Sequence, residues 1–385
     1  MLPKIKNLDK AANRIKKAVR NKERIIIYGD TDLDGVSSAV ILKETIQNLG
    51  GQVSEVFFPD REKDGYGINE KALNQLKNLA PALFISLDLG ISNFKETKIA
   101  KSMGFEVVII DHHQILDRVP PEASIVVDPK QKGDKYPFKE LATAGIVFKL
   151  SQTIFKENFS ENLKNSFLEL TALTTLADMM PITDDNQIFI DQGLNALRST
   201  FRPGLKAFFE IFGENNLANN NLQKIISALN ICERVDRVNE TYLLLTSSSL
   251  ENSKKIAQNL LDKSQKKQLR VREIVQEVER RISQKLTEPV IFEGDALWPL
   301  ILAGSVASTI CQKYEKPTFI FRKGESESCG SVRVPKEINS VDAMTPCADI
   351  LITFGGHPRA SGFRIKNENL EEFRKCLVNY FKKPR

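Results

Sequence analysis

The residues best suited to chemistry are acids set close together. Between Tyr28 and Gly35 the chain reads Gly29-Asp30-Thr31-Asp32-Leu33-Asp34, three carboxylates at intervals of two with glycine on either side. Anions packed this tightly repel one another unless something positive neutralises them, and a divalent cation is the simplest solution. The run resembles the start of a calcium-binding loop, but the closing Glu is missing and 36–42 continues as an apolar helix, which argues against calcium. Further acids stand at Asp88, before Leu89-Gly90, and at Asp111, before His112-His113. Asp178 lies among apolar neighbours in Leu176-Ala177-Asp178-Met179-Met180-Pro181. Taken singly, each is readable as a helix-capping Asp. Taken together with two of the chain's three histidines, they form a mixed carboxylate and imidazole set suited to Mn²⁺, Mg²⁺ or Fe²⁺. Two such ions can clamp a phosphodiester and generate hydroxide at neutral pH.

The elements that must position these residues follow from the apolar pattern. Continuous apolar runs at 24–28, 83–87, 106–110 and 124–127 predict buried strands, and runs without alternation fit a parallel sheet covered on both faces. Helical patterns at 36–49, 69–78 and 93–103 fall between them, giving a doubly wound α/β sheet. Asp30, Asp88 and Asp111 then follow the C-terminal ends of successive strands, the edge where such sheets bind ligands. Residues 142–250 read as mostly helical. The stretch 251–286 reads as one long helix with a polar patch at 264–268, where a kink or an exposed mid-section is expected. Beyond it, strands at 289–292, 318–321 and 351–354 and a helix at 305–313 predict a second, smaller α/β domain.

The chain has 385 residues and a net charge of +6, and 251–287 carries ten Lys/Arg against five Asp/Glu. A basic helix beside acidic pockets suits a metal-dependent nuclease, although a basic helix is also a common solvated face. No stretch is apolar enough to span a membrane, and the Lys/Arg-rich N-terminus lacks the apolar core of a secretory signal. The five cysteines are odd in number and never form C-x-x-C, so reduced, mostly buried thiols and a cytoplasmic location are expected.

Asp111-His112-His113 and the Gly29–Gly35 run resemble the signature motifs of the DHH phosphoesterase superfamily. Within it the chain is similar to the RecJ family of single-strand-specific exonucleases. Pro59-Asp60-Arg61 with Gly65-Tyr66-Gly67, the Asp128-Pro129-Lys130-Gln131 stretch, the segment around Asp178 and Ser227–Arg234 resemble its further motifs. Gly330-Ser331-Val332-Arg333 and Gly355-Gly356-His357-Pro358 resemble motifs of the DHHA1 domain. The resemblance implies a DHH catalytic domain over 1–250, a connecting helix over 251–287 and a DHHA1 substrate-binding domain over 288–385, with a cleft between the domains. It implies two Mn²⁺ or Mg²⁺ ions held by Asp30, Asp32, Asp34, Asp88, His112 and Asp178, with Asp88 as bridge. His113 and Asp111 take the catalytic roles. Arg234, Ser331 and Arg333 hold a terminal 5′-phosphate, Arg61 contacts the strand, and Gly355, Gly356 and His357 line the substrate path.

The activity so implied is 5′→3′ hydrolysis of single-stranded DNA to nucleoside 5′-monophosphates, with RNA left open as a substrate because no 2′-hydroxyl reader is recognisable. An alternative is cleavage of short oligonucleotides or cyclic dinucleotides, as in other superfamily branches. A non-catalytic scaffold in replication or repair is a third, opposed by the intact ligand set. Two departures stand out: Pro299, Leu300 and Ile301 stand at the positions where the family has His, Pro and Gly in turn, and Glu233 replaces a glycine before Arg234. The family's OB-fold has no counterpart here, so a single-strand-binding or repair partner is expected to supply further grip.

Overall fold

The computed structural model describes residues 4–60, 67–115, 119, 120, 122–213, 219–232, 234, 235, 238–283 and 287–382, with the backbone alone at 219, 234, 235 and 357. They form two units, Met1–Ser264 and Gln265–Arg385.

In the first unit the elements run α1 (Leu8–Arg20), β1 (Ile25–Gly29), α2 (Leu33–Asn48), β2 (Glu55–Phe57), α3 (Glu70–Leu76), β3 (Ala82–Leu87), α4 (Phe94–Ser102), β4 (Phe105–Ile110) and β5 (Ile125–Val127). Helices follow: α5 (Thr143–Phe155), α6 (Glu161–Ala177), α7 (Asp184–Leu197), α8 (Pro203–Phe212) and α9 (Asn219–Leu229). A short hairpin of β6 (Arg234–Val235) and β7 (Val238–Asn239) precedes α10 (Glu240–Thr246) and α11 (Leu250–Ile282). The main sheet has the order β2-β1-β3-β4-β5, parallel throughout. Its strands are apolar on both faces because both are covered. Ile25, Ile27, Leu83, Ile85, Val108 and Ile110 pack with α1, α2 and α5, whereas Ile26, Tyr28, Phe84, Val107 and Ile109 pack with α3 and α4. Strand order reverses between β1 and β3, so their C-terminal ends flank the crevice where doubly wound sheets take ligands.

The second unit contains β8 (Ile291–Asp295), α12 (Leu300–Tyr314), β9 (Thr318–Lys323), β10 (Glu327–Arg333), α13 (Ser340–Met344), β11 (Leu351–His357), β12 (Ala360–Lys366) and α14 (Leu370–Lys382). Its sheet has the order β11-β12-β10-β9-β8, with β8 and β9 parallel and the other pairs antiparallel. Helix α11 is unbroken across its polar patch, and its mid-section is exposed, with Leu269 50% accessible. Ala257 and Leu260 from its first half join the core of the first unit, and Ile274, Val278 and Ile282 from its second half join that of the second.

The expectation of five reduced thiols is corrected. Cys347 and Cys376 form a disulfide that joins the 3₁₀ segment Thr345–Ile350 to α14, while Cys232, Cys311 and Cys329 keep their thiols. The spacing of 29 residues carries no local motif, and only the packing of α14 onto the sheet brings the two sulfurs together. Among the described residues no helix is long and apolar enough to cross a membrane.

Candidate metal centre

The loop after β1 turns at once into α2, and the approach is close. A Cβ on Gly35 would lie 2.4 Å from the Asp30 carbonyl oxygen, so only glycine lets the first turn of α2 fold back on the strand end. Asp32 caps α2, its Oδ1 accepting from Gly35 N at 3.2 Å. Asp34 reaches the start of α5, where it accepts from the backbone N–H groups of Thr143 (2.7 Å) and Ala144 (2.8 Å). The positive end of a 13-residue helix therefore faces a buried carboxylate. Two asparagines fix the same loop. Asn230 Oδ1 accepts from Leu33 N at 3.1 Å, and Asn239 Nδ2 donates to the Thr31 carbonyl at 2.9 Å.

Asp88 follows β3 with a φ of 64°, a conformation an aspartate holds only when its surroundings enforce it. It accepts from Thr143 Oγ1 at 3.1 Å. Asp111 follows β4 and is wholly buried. Its Oδ1 accepts from His112 N (2.8 Å) and His113 N (3.2 Å) and meets His113 Nδ1 at 2.7 Å, while Oδ2 accepts from Ile91 N at 3.1 Å. His112 is oriented by the Leu141 carbonyl, 2.9 Å from its Nδ1. That leaves Nε2 toward the acids, 3.4 Å from Asp88, 3.5 Å from Asp178 and 3.7 Å from Asp34. Asp178 arrives from elsewhere in the chain, as the residue that ends α6.

The donors form three overlapping groups, Asp88–His112–His113, Asp34–His112–Asp178 and Asp30–Asp32–Asp88, within each of which one ligand atom per residue lies no more than 4.8 Å from the others. Every predicted ligand is thus brought to one place. The electrostatics are those of a site short of positive charge. Burial, and then repulsion by Asp178, pushes Asp34 up to about 8, and burial with four neighbouring acids pushes Asp88 well above the usual carboxylate range. Burial also opposes ionisation of Asp111, but His113 outweighs it and holds that carboxyl well below the usual range. His113 is correspondingly raised to about 9, the Asp111 pairing exceeding the opposing effect of burial. Five carboxylates and an imidazole nitrogen are a donor set for a hard or borderline divalent ion, and this excess of buried negative charge is what such an ion would neutralise.

The remaining predicted residues divide by unit. Arg61, with Gly65 and Tyr66, lies outside the described residues, as does Glu233, and Arg234 is described only as backbone in β6. In the second unit, Ser331 and Arg333 stand two apart on β10 and so share a face. The register pairs Ser331 with Gly362 and Gly362 with Gly355, which places both glycines on that face. Gly304 of α12 packs against them, since a Cβ there would lie 3.1 Å from Arg333 Nη2 and 3.6 Å from Ser331 Oγ. Gly356 has a φ of 136°, and His357 ends β11. Trp298, just before the departure at 299–301, is buried under Arg281 and donates to Glu277 at 3.2 Å, while Leu297 beside it is 80% exposed. No motif in the sequence marks the parts played by Leu141, Thr143 and Asn239, and Asn230 is marked only as part of the Ser227–Arg234 motif. Thr143 was the most readable, because Ala142-Thr143-Ala144-Gly145 is a run of small residues at a helix start.

Residues 24–175 match the DHH family, N-terminal domain, and residues 288–383 match the DHHA1 domain. The chain therefore carries a DHH N-terminal domain followed by a DHHA1 domain. It is 34% identical over 380 residues to the single-stranded-DNA-specific exonuclease RecJ of Bacillus subtilis, an alignment covering 97% of this chain and 47% of that one. Its identity to the Thermus thermophilus protein of the same name is 29%, covering 99% of this chain and 55% of the relative. The chain therefore spans about half the length of these curated relatives. Among solved structures, Thermus thermophilus RecJ in complex with Mn²⁺ superposes with a TM-score of 0.84 at 24% identity, covering the whole of this chain and 56% of that one, which establishes the fold. A manganese-bound exonuclease RecJ superposes with a TM-score of 0.77 at 25% identity and is covered to 97% of its length.

Proposed function

We propose that this chain is a metal-dependent phosphodiesterase that degrades single-stranded DNA from the 5′ end and releases nucleoside 5′-monophosphates. The observation that carries the reading is the convergence of Asp30, Asp32, Asp34, Asp88, His112 and Asp178 at the switch point of a doubly wound sheet. The names of its relatives, single-stranded-DNA-specific exonucleases and a manganese-bound exonuclease, support the substrate and the metal. Those six residues would hold two Mn²⁺ or Mg²⁺ ions, with Asp88 shared. Such ions neutralise phosphate charge and acidify water.

The chain's own groups have distinct tasks. Asp111 fixes the His113 ring through Nδ1, which assigns Nε2 to the phosphate as negative charge develops there. Leu141 fixes the His112 tautomer in the same way. Arg234, Ser331 and Arg333 are assigned to the terminal 5′-phosphate, for which a guanidinium fork is suited. Arg61, Gly355, Gly356 and His357 are assigned to the strand. A cytoplasmic location and a protein partner that adds single-strand grip complete the reading.

The test uses labelled single-stranded DNA from dinucleotides to long oligomers, with Mn²⁺, for the wild type and Asp88→Ala. Mononucleotide release from the 5′ end should persist as strands lengthen. In the variant it should fall by roughly 100-fold or more, since even outer-shell changes at metal sites cost 10–100-fold. Equal activity of the variant would sink the metal mechanism, and activity confined to the shortest strands would sink the exonuclease assignment.

A further inference from the structure

Asn186 lies in the first turn of α7, outside the proposed ligand set, and is fully buried. Its Nδ2 donates to two carbonyl oxygens, those of Glu140 (2.6 Å) and Pro181 (3.0 Å). The two acceptors belong to different walls of the acidic centre. Glu140 immediately precedes Leu141, whose carbonyl orients His112, and lies just before Thr143 and Ala144, whose N–H groups hold Asp34. Pro181 lies three residues beyond Asp178, on the turn that leaves α6. One side-chain amide therefore ties the segment that sets His112 and Asp34 to the segment that carries Asp178.

The surroundings of Asn186 are built to keep it in place. Asp185 accepts from the Tyr136 hydroxyl at 2.5 Å and from Lys149 Nζ at 2.9 Å, pinning the start of α7 to α5. Lys130 binds the same segment from the other side, its Nζ 2.6 Å from the His112 carbonyl and 3.6 Å from the Glu140 carboxylate. The chemistry of the residue is also specific. Two carbonyl oxygens need two N–H donors, which an aspartate cannot offer and a serine offers only in part. Asn186 Oδ1, meanwhile, is buried without a hydrogen-bond partner. A buried acceptor left unmatched is unfavourable, so the two donated bonds are what favours an amide at this position.

We propose that Asn186 is a positioning residue of the metal centre, setting the spacing between Asp178 and the His112–Asp34 wall. The proposal rests on the reading that this centre holds divalent cations. The experiment is calorimetric titration of Mn²⁺ into metal-free full-length protein, for the wild type, Asn186→Ala, Asn186→Ser and Thr200→Val. The last removes a buried hydroxyl bond to Glu169 away from the centre and serves as the control for a general loss of stability. Affinity should fall by roughly 10–100-fold in N186A, the range for outer-shell partners of metal ligands. It should fall less in N186S, which keeps one donor, and stay at the wild-type value in T200V. A folded N186A that binds Mn²⁺ like the wild type overturns the proposal, as does an equal loss in T200V. If N186A does not fold, N186S carries the test, and if neither folds, Asn186 belongs to the fold and the proposal falls. A wild type that binds no Mn²⁺ instead removes the metal reading itself.

Discussion

Asp34, Asp88 and Asp111 are chemically identical and equally buried, yet their proton affinities are driven in opposite directions. Asp111 has a histidine and two backbone N–H groups on one oxygen, so its charge is satisfied within the protein. Asp34 and Asp88 are buried facing other acids, which drives their proton affinities up. The sequence showed which acids belong together, because strand-end Asp residues and adjacent histidines form a pattern. It could not show which acid is paired, since that depends on Leu141, Thr143 and other residues that meet the centre through backbone groups. Glu169, on α6, gives a pH test separate from the site. Burial raises its carboxyl to about 7, against an ordinary 4.5, with a bond from Thr200 only partly opposing. A carboxyl raised in the folded state binds more protons folded than unfolded between those values, so stability declines as pH rises from about 4.5 to about 7. The decline amounts to about 3 kcal/mol at most. Glu169→Gln should flatten this part of the stability–pH curve and leave the variant more stable than the wild type above pH 7. Denaturant unfolding at pH 5 and pH 8 checks this, and parallel curves for the two proteins would refute it.

At the level of elements, legibility followed hydrophobicity. Strands β1, β3 and β4 of the first sheet and the helices between them were readable because each strand is apolar and buried on two faces, and β5, at one edge, because its short run is also apolar. The edge strand β2 was not, being three partly exposed residues. Strands β10 and β12 were missed for a related reason: Glu327–Arg333 is mostly polar and small, with Ser328 buried where a hydrophobe would have signalled a core, and Ala360–Lys366 has only Phe363 and Ile365 as large apolar residues. The helical part of the first unit hid a different constraint. Gly193 of α7 packs so closely on α6 that a Cβ would lie 2.2 Å from the Leu168 carbonyl oxygen and 2.5 Å from Ala172 Cβ. Gly193→Ala must push the two helices apart, and overpacking of this kind costs about 1–3 kcal/mol. The expected result is a melting temperature several degrees lower, and an unchanged one would show that the helices yield without cost.

For the molecule as a whole, the disulfide makes the two units respond differently to reductant. Cys347 and Cys376 close a 29-residue stretch, and loop-closure entropy puts the stabilisation at roughly 3–4 kcal/mol, all of it within the second unit. Reductant should therefore speed amide hydrogen exchange in Thr345–Ile350 and α14 while leaving β1, β3 and β4 as they were. Acceleration of those three strands to the same degree would contradict a bond local to one unit.

Helix α11 bears on how the protein can be dissected. Ala257 and Leu260 complete one core and Ile274, Val278 and Ile282 complete the other, all on a single uninterrupted helix. A fragment ending at residue 250 would lose two of its own buried apolar side chains, and one beginning at residue 288 would lose three. Anyone expressing either half alone would have to let both fragments keep part of the same helix, with the cut falling in the exposed, lysine-rich turns around 265–270.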